Sequence, residues 1–137
     1  MSVEPDVETA ARRVVLVADD EASFRSLYRV WLEAAGFEVR LAPDGIEAVA
    51  SVLTDGWPDA ALLDVNMPRL DGLEVCRLLR VADAHLPLVL VSARDDLDGL
   101  GRYAGASAML SKPSSQAELR GTLLRLLPAP PAAARAA

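Results

Sequence analysis

Short runs that read as strands, most of them apolar, alternate with helix-length segments along most of this chain, and that alternation restricts its fold more than any other feature. The runs are residues 13–18, 38–42, 60–63, 88–91 and 108–111. Strands separated by helices run parallel through right-handed crossovers, which gives a doubly wound α/β sheet. Within the first, Val14 to Ala18 is continuously apolar, as expected of a strand covered on both faces.

The intervening segments carry helical patterns. Over residues 21–35, Phe24, Leu27, Tyr28, Trp31, Leu32 and Ala35 recur at helical spacing, and Gly36 follows as a stop. Asp44-Gly45 opens a second helix with Ile46, Val49, Ala50 and Leu53 on one face, ending before Gly56-Trp57-Pro58. Residues 72–81 form a third. Ser115-Gln116-Ala117-Glu118 is a capping box for a last helix, whose Leu119, Leu123 and Leu126 or Leu127 face the core before Pro128 ends it. The segment after residue 92 is the least regular. Asp95-Asp96 offers a cap, but Gly99 and Gly101 together cost about 2 kcal/mol relative to Ala, so a short or distorted helix is expected there.

The chemistry collects at the strand ends. The first strand stops at Asp19-Asp20-Glu21, and Ala61-Leu62-Leu63 stops at Asp64 before the Pro/Gly-punctuated loop Val65-Asn66-Met67-Pro68-Arg69-Leu70-Asp71-Gly72. Taken alone, Asp19 reads as well as a helix N-cap, and Asp64 as well as a loop acid, as either does as a site residue. Their repetition at strand ends favours a site, because open α/β sheets bind ligands there. If these two strands are adjacent, Asp19, Asp20 and Asp64 converge, and carboxylates that close need a cation. An all-oxygen set suits Mg2+. Later strands end in Ser92-Ala93 and in Ser111-Lys112-Pro113, adding a hydroxyl and a fixed positive charge. Acid, cation site, hydroxyl and ammonium are the parts needed to hold and transfer a phosphoryl group.

Composition narrows the class further. The 137 residues suit one domain, 52% hydrophobic and 25% charged, and no apolar run approaches the length of a membrane span. Residues 1–13 lack the apolar core of a signal peptide, so a cytoplasmic location is expected. A net charge of −6 argues against direct nucleic-acid binding. Cys76 has no partner for a disulfide and reads as a small core residue, while the single histidine, His85, reads as a solvated loop residue. Residues 1–12 read as a polar lead-in, 13–127 as the folded domain, and 128–137 as a Pro/Ala-rich tail or linker.

Taken in order, Asp19-Asp20-Glu21, Asp64 with Met67-Pro68 and Asp71-Gly72, Ser92-Ala93 and Lys112-Pro113 resemble the receiver domain of a bacterial two-component response regulator. The resemblance spans residues 14–127; each motif is weak alone, but the ordered set is specific. It implies the flavodoxin-like receiver fold, with strand order 2-1-3-4-5. It also implies that Asp64 is the phosphoacceptor, supplied by the phosphohistidine of a sensor kinase or a histidine phosphotransfer protein. Asp20, Asp64 and the backbone carbonyl of Asn66 would ligate Mg2+, with Asp19 acting through water. Ser92 and Lys112 would each hold a phosphoryl oxygen, and Lys112-Pro113 would be a cis peptide. Such a domain promotes its own phosphorylation and dephosphorylation without being an enzyme in the ordinary sense.

Two departures concern signalling. Receivers usually carry Tyr or Phe three residues before the lysine, where this chain has Met109, and the segment 92–105 is about half a helical turn short. Local movement of Ser92 without an aromatic switch is therefore expected, with a monomer or weak dimer as the assembly. The reader of the signal is either an output domain beyond residue 137 or a separate partner. Competing readings are a degenerate receiver that only binds proteins and an aspartyl-nucleophile phosphatase of the haloacid-dehalogenase kind. The intact acids, hydroxyl and lysine weigh against the first. Against the second, Asn66 stands where such enzymes place a second Asp.

Overall fold

The computed structural model describes residues 12–93, 102 and 104–127. In chain order the elements are β1 (Val14–Ala18), α1 (Ala22–Ala34), β2 (Glu38–Ala42), α2 (Gly45–Asp55), β3 (Ala60–Asp64), α3 (Gly72–Ala82), β4 (Leu88–Ser92), β5 (Ala108–Ser111) and α4 (Gln116–Leu126). All five strands are parallel, in the order β2-β1-β3-β4-β5, as the receiver resemblance implies. Residues 1–11 of the lead-in, the tail and the Gly99–Gly101 stretch lie outside the described residues.

Alternation along each strand divides the core in two. Leu16, Ala18, Ala61, Leu63, Leu88 and Leu90 face α2 and α3, meeting Ala48, Val52, Val75, Cys76 and Leu79. Val15, Val17, Ala60, Leu62, Val89 and Val91 face the other way, onto Tyr28 and Leu32 of α1 and Leu119 and Leu123 of α4. Every residue of β3 and β4 is buried, because helices cover both faces of these central strands.

The helix ends follow local chemistry. Gly36, at φ 95°, closes α1: its N–H donates to Glu33 and that of Phe37 to Leu32, both at 3.0 Å, a Schellman arrangement that only a left-handed residue permits at low cost. The capping box at Ser115 and Glu118 forms as expected, and a second one joins Asp71 to Glu74 at the start of α3.

Two helix faces differ from the expectation. In α2 the inward residues are Gly45, Ala48 and Val52, whereas Ile46 is exposed and Leu53 is 80% exposed. The cause lies at the helix start: a Cβ on Gly45 would run into the Leu70 carbonyl, and that close approach sets the rotation of α2. In α1, Tyr28 and Leu32 form the buried ridge, and Leu27 sits on its exposed flank. Cys76 is buried, its thiol pushed up in pKa by burial and aimed at the Ala104 carbonyl, while His85 is exposed.

Candidate functional site

The C-terminal ends of β1, β3, β4 and β5 surround one small pocket. Ala18 pairs with Leu63, so the residues that follow, Asp19 and Asp64, leave adjacent strands at the same level. On the far side of β3, Asp64 pairs with Val91, and Ser92 pairs with Ser111, the residue before Lys112. The Lys112 N–H donates to the Ser92 carbonyl at 2.9 Å, and Lys112-Pro113 is a cis peptide. Strand register alone thus brings Asp19, Asp64, Ser92 and Lys112 together.

Asp19 is 1% exposed and fully engaged. Its Oδ1 accepts the Glu21 N–H at 2.9 Å and its Oδ2 accepts Lys112 Nζ at 2.9 Å, while its carbonyl accepts from Arg25 at 2.7 Å. It is not the cap of α1; Glu21 holds that position, without a side-chain capping bond. Asp64 is also buried, with its Oδ2 3.5 Å from Lys112 Nζ. Burial first, and the charge of Asp19 second, push the Asp64 carboxyl up to about 6 against the pull of Lys112. For Lys112, burial works against the ammonium, but the hydrogen bond it donates to Asp19 and the charges of Asp64, Asp19 and Glu21 outweigh it and raise its pKa.

A cavity of about 220 Å3 opens at this point, lined by Asp20, Glu21, Asp64, Asn66, Ala93 and Lys112. Asp19, Asp20 and Glu21 each present a carboxylate oxygen within 4.8 Å of the others. Four carboxylates thus gather around a pocket with one lysine, and all the donors are oxygens. This environment fits a hard divalent cation such as Mg2+. Asp20 and Asn66 line the cavity, and Ser92 is buried at the end of β4.

The loop that follows Asp64 is held from several sides. The Val65 N–H donates to Val91 at 2.9 Å and the Gly72 N–H to Val65 at 3.0 Å. A Cβ on Gly72 would overlap the Asp64 carbonyl, so only glycine lets α3 begin this close to β3. Arg69, in the left-handed region at φ 69°, reaches Asp44 at 2.6 Å. The Glu47 N–H bond and the Arg69 guanidinium hold the Asp44 carboxyl below its usual range.

Two residues that meet Lys112 had no assigned role in the sequence reading. Glu21 approaches Lys112 Nζ to 3.5 Å, and the Phe24 ring lies under the same ammonium, 4.0 Å from Nζ to the centroid. Glu21 could have been singled out as the third acid in a row. Phe24 carried only its helical spacing, which placed it in the core.

Comparison with known proteins gives concordant findings. Residues 15–124 match the response regulator receiver domain family. The response regulator MprA of Mycobacterium avium is 44% identical over 115 residues, covering 82% of this chain and 50% of that protein. The MprA of Mycobacterium bovis matches to the same extent, so the chain spans about half the length of the curated relatives it matches. Among solved structures, the chemotaxis protein CheY4 of Vibrio cholerae superposes with a TM-score of 0.80 at 32% identity, covering 85% of this chain and all of that one. The Thermotoga maritima response regulator TrrA, in complex with Mg2+-BeF, gives 0.78 at 30% identity, over 84% of this chain and 99% of its own.

Proposed function

Given that the chain belongs to the response regulator receiver domain family, we propose that it accepts a phosphoryl group on Asp64 and passes the resulting change of shape to a partner. The observation that carries this reading is the placement of Asp64: a buried carboxylate at a strand end, beside a lysine, facing an acid-lined cavity.

The donor is the phosphohistidine of a sensor kinase or of a histidine phosphotransfer protein. An Asp64 carboxylate oxygen attacks phosphorus; the new P–O bond forms as the P–N bond breaks, and the imidazole keeps the bonding pair. The product is an acyl phosphate, and later attack of water on phosphorus releases inorganic phosphate and restores the carboxylate. Lys112 pairs with one phosphoryl oxygen, and the Ser92 hydroxyl donates to another. Asp20, Asp64 and the Asn66 carbonyl would hold Mg2+, with Asp19 acting through water, and the ion would neutralise charge on the phosphoryl oxygens. Glu21 is placed to join this acid set.

The response is read either by an output domain in the same polypeptide or by a separate protein. The length of the curated relatives, about twice the matched region, supports the first arrangement. No helix among the described residues is long and apolar enough to cross a membrane, which agrees with a cytoplasmic receiver.

Incubation with acetyl phosphate and Mg2+, followed by intact mass spectrometry, tests the assignment. One phosphoryl adduct is expected, absent in Asp64→Asn and absent with a chelator. An adduct that survives in Asp64→Asn would overturn it.

A further inference from the structure

Lys112 is enclosed by two kinds of surface. On one side stand carboxylates: Asp19 at 2.9 Å, Glu21 at 3.5 Å and Asp64 at 3.5 Å. On the other lies the ring of Phe24, 4.0 Å from Nζ to its centroid. The lysine side chain is only 8% exposed, so this contact acts in a largely desolvated setting, where the negative face of an aromatic ring attracts a cation most strongly. The ring is itself held. Its centroid is 5.8 Å from that of buried Tyr28, one helical turn on, and Tyr28 meets Trp31 edge-on at 6.1 Å. An aliphatic residue at position 24 would fill the same space without attracting the ammonium.

We propose that Phe24 is a positioning residue for Lys112: its ring keeps the ammonium at the mouth of the pocket while the anionic partner changes from the Asp19 and Asp64 carboxylates to the oxygen of an incoming phosphoryl group. The proposal rests on the reading of Asp64 as phosphoacceptor. During transfer the ammonium must loosen from Asp19 and follow the phosphoryl oxygen. A ring face supports this sliding movement, because its attraction has no single acceptor atom and survives small lateral displacement. A carboxylate partner at the same place would instead compete with the phosphoryl group for the lysine.

The test replaces Phe24 with progressively fluorinated phenylalanines, which drain charge from the ring face at nearly constant volume, and adds Phe24→Leu and Phe24→Trp. Acetyl phosphate with Mg2+ is the donor, the rate is read by intact mass, and thermal melting is followed in parallel. The rate is expected to fall stepwise with fluorination to about one-fifth, to fall similarly in Phe24→Leu, and to recover in Phe24→Trp, with melting nearly constant across the fluorinated series. Equal rates along the series, or a Leu variant as fast as the unmodified chain, would overturn the proposal. NMR separates this from failure of the parent reading: the Lys112 ε-protons should be shifted upfield by the ring, and Phe24→Leu should abolish the shift. If the unmodified chain takes no phosphoryl group, the role in transfer falls with the parent reading while a ring-current shift still establishes the contact. Absence of that shift refutes the contact itself.

Discussion

Lys112 is closer to Asp19 than to Asp64: its ammonium lies 2.9 Å from the first carboxylate and 3.5 Å from the second. The lysine therefore neutralises the acid that does not carry the phosphoryl group in the proposed reaction, and leaves Asp64 the less compensated of the two. Its raised pKa follows first from burial and then from the neighbouring charge of Asp19, which the pull of Lys112 does not offset.

Asp64 makes stability depend on pH in a definite direction. Its carboxyl rises in the fold from an ordinary 3.8 to about 6, so the charged form is the one the fold disfavours. The contribution is fully present below about pH 4 and is lost as pH rises through about 6. Without divalent ions, Asp64→Asn is expected to exceed the parent chain in stability by on the order of 2 kcal/mol near neutral pH, and to lose the advantage below about pH 4. Urea titrations across this range, with and without Mg2+, measure it; a gain independent of pH would rule out this origin.

Removal of the lysine should act oppositely. Lys112→Met leaves Asp19 and Asp64 buried without their cation, and a loss of about 3 kcal/mol is expected in metal-free buffer. Added Mg2+ should restore part of it by supplying positive charge to the same pocket. Unfolding midpoints that do not respond to Mg2+ would show that the ion does not bind among these acids.

Tyr28 offers a gain in stability. Its hydroxyl is buried with no hydrogen-bond partner among the described residues, and its pKa is pushed up to about 12, chiefly by burial. Tyr28→Phe keeps the ring that backs Phe24 and removes the unsatisfied oxygen, so stability should rise by about 1 kcal/mol. A loss on calorimetry would mean that the hydroxyl is satisfied in solution.

Gly72 tests the spacing between α3 and the acid-bearing strand. Gly72→Ala places a methyl group on the Asp64 carbonyl, and a destabilisation of about 2 kcal/mol is expected with slowed phosphorylation. Wild-type rates in a folded Gly72→Ala protein would show that this contact does not position Asp64.

Met109 bears on signalling. It packs partly buried against the α2 and α3 side of the sheet, beside a cavity of about 310 Å3 that it lines with Arg102, Ala106, Ser107 and Ala108. Beryllofluoride with Mg2+ is expected to shift amide resonances around Ser92 while sedimentation remains that of a monomer or weak dimer. Strong dimerisation, lost when residues 95–111 are altered, would contradict this.

Much of the fold was legible because the strand-forming runs end in chemically distinctive residues. Asp19, Asp64, Ser92 and Lys112 marked the strand ends, and each lies at or just beyond one. Periodicity was a poorer guide to helix rotation. In α2 the large apolar residues suggested one face, but backbone contact between Gly45 and Leu70 turns smaller residues inward. The Phe24–Lys112 contact joins residues 88 positions apart in sequence, and no local pattern signals a meeting of that kind.

The two-sided core has a consequence for how this sheet finds its alignment. β1 is apolar on both faces, so sliding it by one residue would exchange Val15 and Val17 with Leu16 and Ala18 without wetting either set. Greasiness alone therefore cannot tell correct from shifted pairing, unlike in a sheet with one solvated side. The polar residues at the strand tips can: a slip would pull Asp19 into the dry interior away from Lys112, or drag Ala18 out among the carboxylates. The groups proposed for chemistry thus also serve as end-stops during folding, and neutralising them should make the strands easier to misalign.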